Sequence, residues 1–132
     1  MSYLLDTHTL IWAIFDDQKL SQQIRSILSD SSNNIYVSHV TFWEISLKHS
    51  IGKIELKGTT PDELPYWCKR LNFDVFPISE NDVCRSYVLP PSLHKDPFDR
   101  LLAWQAINRN YSLLSKDSLL KVYIPWKLTV IW

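Results

Sequence analysis

The chain has 132 residues, enough for one domain spanning 1–132 and too few for two of ordinary size. Hydrophobic residues make up 45% and aromatics 13%, with 6 Trp, which excludes a disordered chain. Lys plus Arg and Asp plus Glu both number 14, so a protein that coats polyanions by bulk charge is excluded and any nucleic acid must be held by a local patch.

In chain order, short apolar runs alternate with helical patterns. Tyr3 to Leu5 is an apolar run of the kind found in a strand buried on both faces. A helix is expected from about Thr7 to Phe15, broken at Asp16 and Asp17, and Ser21 opens a second with Ile24, Ile27 and Leu28 on one side. Ile35 to Val37 reads as the second strand. Ser38 caps a helix that runs to Ile51, where Gly52 supplies the stop. Thr60, Pro61 and Glu63 predict a capping box with Pro at the first helical position. Asp74 to Phe76 is the third strand, followed by a helix capped by Ser79 and ended before Pro90. A loop from Ser92 to Lys95 leads to Asp96 and Pro97, which start a helix to about Asn108. Ser112 to Leu114 is the fourth strand and Leu128 to Ile131 a candidate fifth. This alternation predicts an α/β domain: a mostly parallel sheet of four or five strands, covered on both faces.

Other classes fall away quickly. Two glycines, Gly52 and Gly58, cannot build a phosphate-cradling loop, which excludes P-loop and Rossmann dinucleotide sites. Cys68 and Cys84 lack zinc-ligand spacing and are expected as free core thiols in a reducing cytosol. The N-terminal residues lack the basic region of a signal peptide, and the longest apolar run, Leu10 to Phe15, is far short of the roughly 20 residues of a membrane span. A soluble, cytoplasmic protein is the expectation.

In parallel sheets the ligand crevice lies outside the carboxyl ends of the strands. Asp6 ends the first strand and Asp117 follows the fourth by two residues. Alone, each reads as a helix cap or a turn residue; together they place two carboxylates at one sheet edge. At about 100° per residue, Val40, Trp43, Leu47 and Ile51 form an apolar stripe that includes Glu44, which predicts an inward-facing carboxylate. The alternative for Glu44 is a surface pair with Lys48 at i+4. Asp99 heads a stripe through Leu102, Ala103 and Ala106 that faces the sheet, while Asp96 serves as a cap or as an outer member of the site. Converging carboxylates repel unless a hard divalent cation such as Mg²⁺ or Mn²⁺ joins them, a donor set suited to phosphodiester hydrolysis.

Three segments carry a resemblance: Asp6 to Trp12, Trp43 through Lys48 to Lys53, and His94 to Leu102 with its Asp96, Pro97, Phe98, Asp99, Arg100 block. In these the chain resembles PIN-domain proteins, most closely the VapC-type toxins of bacterial toxin–antitoxin pairs, over its whole length. The resemblance implies a three-layer α/β/α fold and a metal-dependent ribonuclease. It assigns Asp6, Glu44, Asp99 and Asp117 to the four acidic positions that hold Mg²⁺ or Mn²⁺, with Asp96 as the extra acid of this branch. It also implies a cognate antitoxin and a homodimer. His8 stands where many members carry Asn or Ser, and Trp104 where the branch often has Ala, which predicts a bulkier surface beside the site.

Lys48, Lys95, Arg100 and Lys116 form a candidate basic rim for an RNA backbone, with pairing to Asp96 the alternative for Arg100. Phe42 with Ile45, and Leu101 with Trp104, lie off their helices' core stripes and suit either a partner or packing under an outer helix. The principal rival reading is a non-catalytic PIN-like module that binds RNA or protein, which the presence of all four acids opposes. A phosphatase or receiver domain using Asp6 as phospho-acceptor lacks the further acid such domains place nearby: position 8 is His. Cleavage of DNA by the same chemistry stays open.

Overall fold

A computed structural model describes residues 1–91 and 94–132; the expected loop from Ser92 to Lys95 thus lies partly outside the described residues. Five parallel strands form one sheet in the order β3-β2-β1-β4-β5: β1 Ser2–Leu5, β2 Asn34–Ser38, β3 Asp74–Phe76, β4 Ser112–Leu114 and β5 Thr129–Ile131. Leu4 lies opposite Tyr36 of β2 and Leu113 of β4, and Leu5 opposite Leu114. Strand order reverses between β1 and β4, so the crevice of this sheet opens there.

Successive side chains of a strand point to opposite faces, and the two cores sort accordingly. Tyr3, Leu5, Ile35, Val37 and Leu114 pack with Leu10, Ile24, Leu64 and Cys68, drawn from α1 (Thr7–Phe15), α2 (Gln22–Ser29) and α4 (Leu64–Arg70). Leu4 and Leu113 on the other face pack with Leu89, Leu102, Ala103, Ala106, Leu120 and Tyr123. These come mainly from α6 (Pro97–Arg109) and a 3₁₀ segment, Ser118–Trp126. α3 (His39–Ser50) supplies Val40 to the second core and Ile45 to the first. The result is the expected three-layer α/β/α domain.

Several local expectations need correction. The Thr60 hydroxyl caps no backbone amide; it binds the Asp62 carboxylate instead, Pro61–Glu63 is a 3₁₀ turn, and α4 starts only at Leu64. A capping box does form at Ser79 and Asp82, where α5 (Glu80–Arg85) begins. Cys84 is exposed, so only Cys68 is a core thiol; burial pushes its pKa up to about 12. Ile45 and Trp104 are buried, the packing alternative for each, so the extra bulk at Trp104 fills the core instead of enlarging the surface beside the site. Conversely Trp43, Leu47 and Ile51, taken as the core stripe of α3, are exposed. The buried arc of α3 is Val40, Thr41, Glu44 and Ile45, rotated so that a threonine and a glutamate face inward where aliphatic residues were expected.

Candidate active site

Asp6 leaves β1 and caps α1. Its Oδ1 accepts from the Thr9 amide at 2.8 Å and lies 2.6 Å from the Thr9 hydroxyl, which is also 2.8 Å from the Leu114 carbonyl. One hydroxyl proton serves one of these acceptors at a time. The Asp6 amide donates to the same carbonyl at 3.2 Å, tying the end of β1 to the end of β4. Three residues past that carbonyl, Asp117 caps the 3₁₀ segment, with Oδ1 accepting from the Leu119 amide at 2.9 Å.

The other acids arrive on helices. Glu44 is 2% exposed; its Oε1 accepts from the Thr7 hydroxyl and its Oε2 from Lys48 Nζ. Both readings of Glu44 therefore meet: it is paired with Lys48 and it points inward. Asp96 caps α6, its Oδ1 accepting from the Phe98 amide at 2.9 Å and, more weakly, the Asp99 amide at 3.4 Å. Leu102, Ala103 and Ala106 are fully buried, as the stripe predicted, and Asp99 stands at its head. A crevice of about 520 Å³ is lined by Asp6, Glu44, Asp96, Asp99 and Asp117, with Lys48, Lys116, His8, Trp12 and Ser118 completing its wall.

The electrostatics follow from this crowding. Burial, then the charges of Asp96, Glu44, Asp6 and Asp117, push the Asp99 carboxyl up to about 8. Burial also raises Asp6, against the opposing hydrogen bonds from Ser115 and Thr9. For Lys48, burial favours the neutral amine, but the hydrogen bond and charge of Glu44, with Asp96 and Asp99, outweigh it and hold the ammonium above its ordinary range. A carboxyl group held protonated by its neighbours is a site short of positive charge. The carboxylate oxygens gathered here suit a hard divalent cation.

Of the expected basic rim, Lys48 and Lys116 reach the crevice, and Lys116 Nζ sits 5.9 Å from the centre of the Trp12 ring. Lys95 is exposed and outside the crevice wall. Arg100 is not brought there either: its guanidinium donates to the carbonyls of Pro90 (2.8 Å), Leu89 (3.1 Å) and Ser86 (3.5 Å), and it makes no pair with Asp96. His8 is exposed on the wall, its ring 5.7 Å from that of Trp12.

One residue of the site carried no assigned role in the sequence. His94 is buried, with Nε2 at 3.3 Å from Asp117 Oδ2 and 3.5 Å from Asp99 Oδ2. Its place two residues before a capping aspartate was the available signal. A lone histidine in a loop gives no direction for its ring.

The acids thus gather at the switch point of the central parallel sheet in a three-layer α/β/α domain. The family model for the PIN domain matches residues 3–123, and the chain belongs to that family, whose members are generally nucleases using divalent metal ions. A search of curated proteins finds no match. Among solved structures, the chain is similar to one in VapBC2 from Rickettsia felis bound to a DNA fragment from their promoter. Identity is 20% and the TM-score 0.71, over 99% of this chain and 98% of that one. It is also similar to a chain of DNA-bound VapBC from Salmonella typhimurium, at 16% identity and TM-score 0.70, over 99% and 97%. A third is a toxin-antitoxin complex from Klebsiella pneumoniae, at 18% identity and TM-score 0.59, over 98% and 96%. At these identities the likeness concerns the fold.

Proposed function

We propose that the chain is an endoribonuclease dependent on Mg²⁺ or Mn²⁺, and the toxin of a type II, VapC-type toxin–antitoxin pair. The observation that carries the reading is the convergence of Asp6, Glu44, Asp99 and Asp117 on one crevice, with Asp99 raised to about 8 by burial and by its neighbours. Such a cluster is stable in its charged form only when a cation joins it.

Asp6, Glu44, Asp99 and Asp117 would hold the cation, with Asp96 at the outer edge beside the third acid. Bound there, a divalent cation supplies charge stabilisation to a phosphodiester undergoing hydrolysis and lowers the pKa of water. Thr7 orients one oxygen of Glu44, and Thr9 with the strand-end carbonyl fixes Asp6. Lys48 and Lys116 flank the acids and would hold the backbone of RNA against a cluster that otherwise repels it. Lys95 and Arg100 contribute less directly: the first lies off the wall, and the second braces the segment ahead of α6.

The antitoxin partner is supported by the solved toxin-antitoxin complex and VapBC assemblies of similar fold. A homodimer is supported by the exposed apolar side chains of Trp43 and Leu47 on α3 and of Ile51 at its C-terminal cap, with Val83 beside Trp43. Among the described residues no helix is long and apolar enough to cross a membrane.

The test is sequencing of RNA 5′ ends from cells expressing the chain or its Asp6→Asn variant. The reading predicts new, discrete 5′ ends with the wild type alone. Identical end profiles would favour the non-catalytic binding module.

A further inference from the structure

The PIN reading uses four acids and leaves a buried imidazole among them without a task. Only 5% of the His94 side chain is exposed, and its two ring nitrogens meet opposite kinds of partner. Nδ1 accepts the Asp96 amide proton at 3.2 Å, while Nε2 faces Asp117 Oδ2 at 3.3 Å and Asp99 Oδ2 at 3.5 Å. An amide N–H can only donate, so Nδ1 must present its lone pair and the ring's single proton sits on Nε2. That proton is directed to the Asp117 carboxylate after β4, and the Asp99 carboxylate, in the first turn of α6, lies at ion-pair distance from the same nitrogen.

We propose that His94 is a positioning residue for the acid cluster: the Asp96 amide fixes its tautomer, and its Nε2–H holds Asp99 and Asp117 in one arrangement. The geometry opposes the other role available to a histidine beside three acids, that of a direct ligand. A ligating Nε2 must be unprotonated, which would move the proton to Nδ1 and set N–H against the N–H of Asp96. His94 therefore acts through the acids. Its own placement is built in: the ring lies near-parallel to buried Tyr123, and Arg100 donates to the carbonyls of Ser86, Leu89 and Pro90 and to the Tyr123 hydroxyl at 3.5 Å. The side chain expected on the basic rim thus braces the segment ahead of the histidine and the residue its ring faces.

The inference deepens the metal-dependent reading and rests on it for its purpose, but its test does not need activity. Long-range ¹H–¹⁵N correlation spectra of the full chain report which ring nitrogen carries the proton. The expected result is a protonated Nε2 and bare Nδ1 for His94 without metal, unchanged when Mg²⁺ is added. A proton on Nδ1, a ring protonated on both nitrogens, or loss of the Nε2 proton on adding Mg²⁺ would overturn the proposal. Calorimetric Mg²⁺ affinity supplies the second measurement. His94→Leu should lose about 10–100-fold, the usual effect of removing a partner that orients ligands. His94→Gln, which restores an N–H donor toward the acids, should recover most of that loss. Wild-type affinity in a folded His94→Leu, or no recovery in His94→Gln, would also overturn it. Absence of RNA cleavage with both patterns intact would count against the ribonuclease reading alone.

Discussion

Lys48 and Glu44, one turn apart on α3, form an ion pair in which the acid is buried and the ammonium lies on the crevice wall beside Asp96 and Asp99. Among the described ion pairs, Lys48 is the one lysine or arginine in direct contact with the acids of the crevice. Lys48→Gln should therefore destabilise the metal-free protein by about 1–2 kcal/mol, less than the loss for a fully buried pair because the ammonium is partly solvated. Saturating Mg²⁺ should recover most of that in thermal denaturation. A variant that melts like the wild type without metal would show that Glu44 does not depend on Lys48.

The raised acids set a pH dependence with a definite sign. Asp99 has a folded-state pKa of about 8 against an ordinary 3.8, so between these values the folded chain binds a proton that the unfolded chain has lost. This group's contribution to stability is present below 3.8 and is lost as pH rises towards about 8; the raised Asp6 acts in the same direction. The metal-free melting temperature should thus fall across that window relative to Asp99→Asn. Mg²⁺ affinity should climb over the same range, because binding must displace the proton. Denaturation and calorimetry in a pH series check both slopes.

Asp99 and Asp96 share one helical turn but have different occupations. Asp96 already serves as a cap through its Oδ1, and Asn caps about as well, so Asp96→Asn should keep the fold and lose no more than a few-fold in cleavage. Asp99 makes no cap and faces the other acids, so Asp99→Asn should remove metal-dependent cleavage and leave the metal-free protein at least as stable near neutral pH. Rates and melting temperatures of the two variants decide the matter. A dead Asp96→Asn beside an active Asp99→Asn would reverse the assignment.

Lys116 and Arg100 should separate binding from bracing. Lys116→Gln is expected to weaken RNA binding and lower the salt slope by about 1, with little change in melting temperature. Arg100→Gln strips three carbonyls of a donor and should cost about 1–3 kcal/mol of stability. Its RNA affinity, measured on the folded fraction at low temperature, should keep the wild-type salt slope. Titrations at several salt concentrations distinguish the two.

The layers and the gathering of acids were legible in sequence because strand-end carboxylates and the buried Leu102, Ala103, Ala106 stripe follow from chain direction and helical period alone. The inward aim of Glu44 was also anticipated, but from a face that proved solvent-exposed. α3 gives Val40 to one core and Ile45 to the other, and Thr41 and Glu44 share that buried arc with hydroxyl hydrogen bonds and an ion pair, so the period of the other aliphatic residues does not mark the inward face. Arg100 and His94 were not legible for a shared reason. Each bonds backbone groups, the carbonyls of 86, 89 and 90 and the amide of 96, and backbone partners leave no trace in residue identities.

The central claim is that these acids form a working metal-dependent nuclease centre. Its most direct test is cleavage of single-stranded RNA by the purified chain across a titration of Mg²⁺ or Mn²⁺, with the Asp99→Asn variant prepared identically. Cleavage should appear with the metal, vanish in excess chelator, return on adding metal back, and be absent from the variant throughout. Undiminished cleavage by metal-free protein, or equal cleavage by Asp99→Asn, would contradict it.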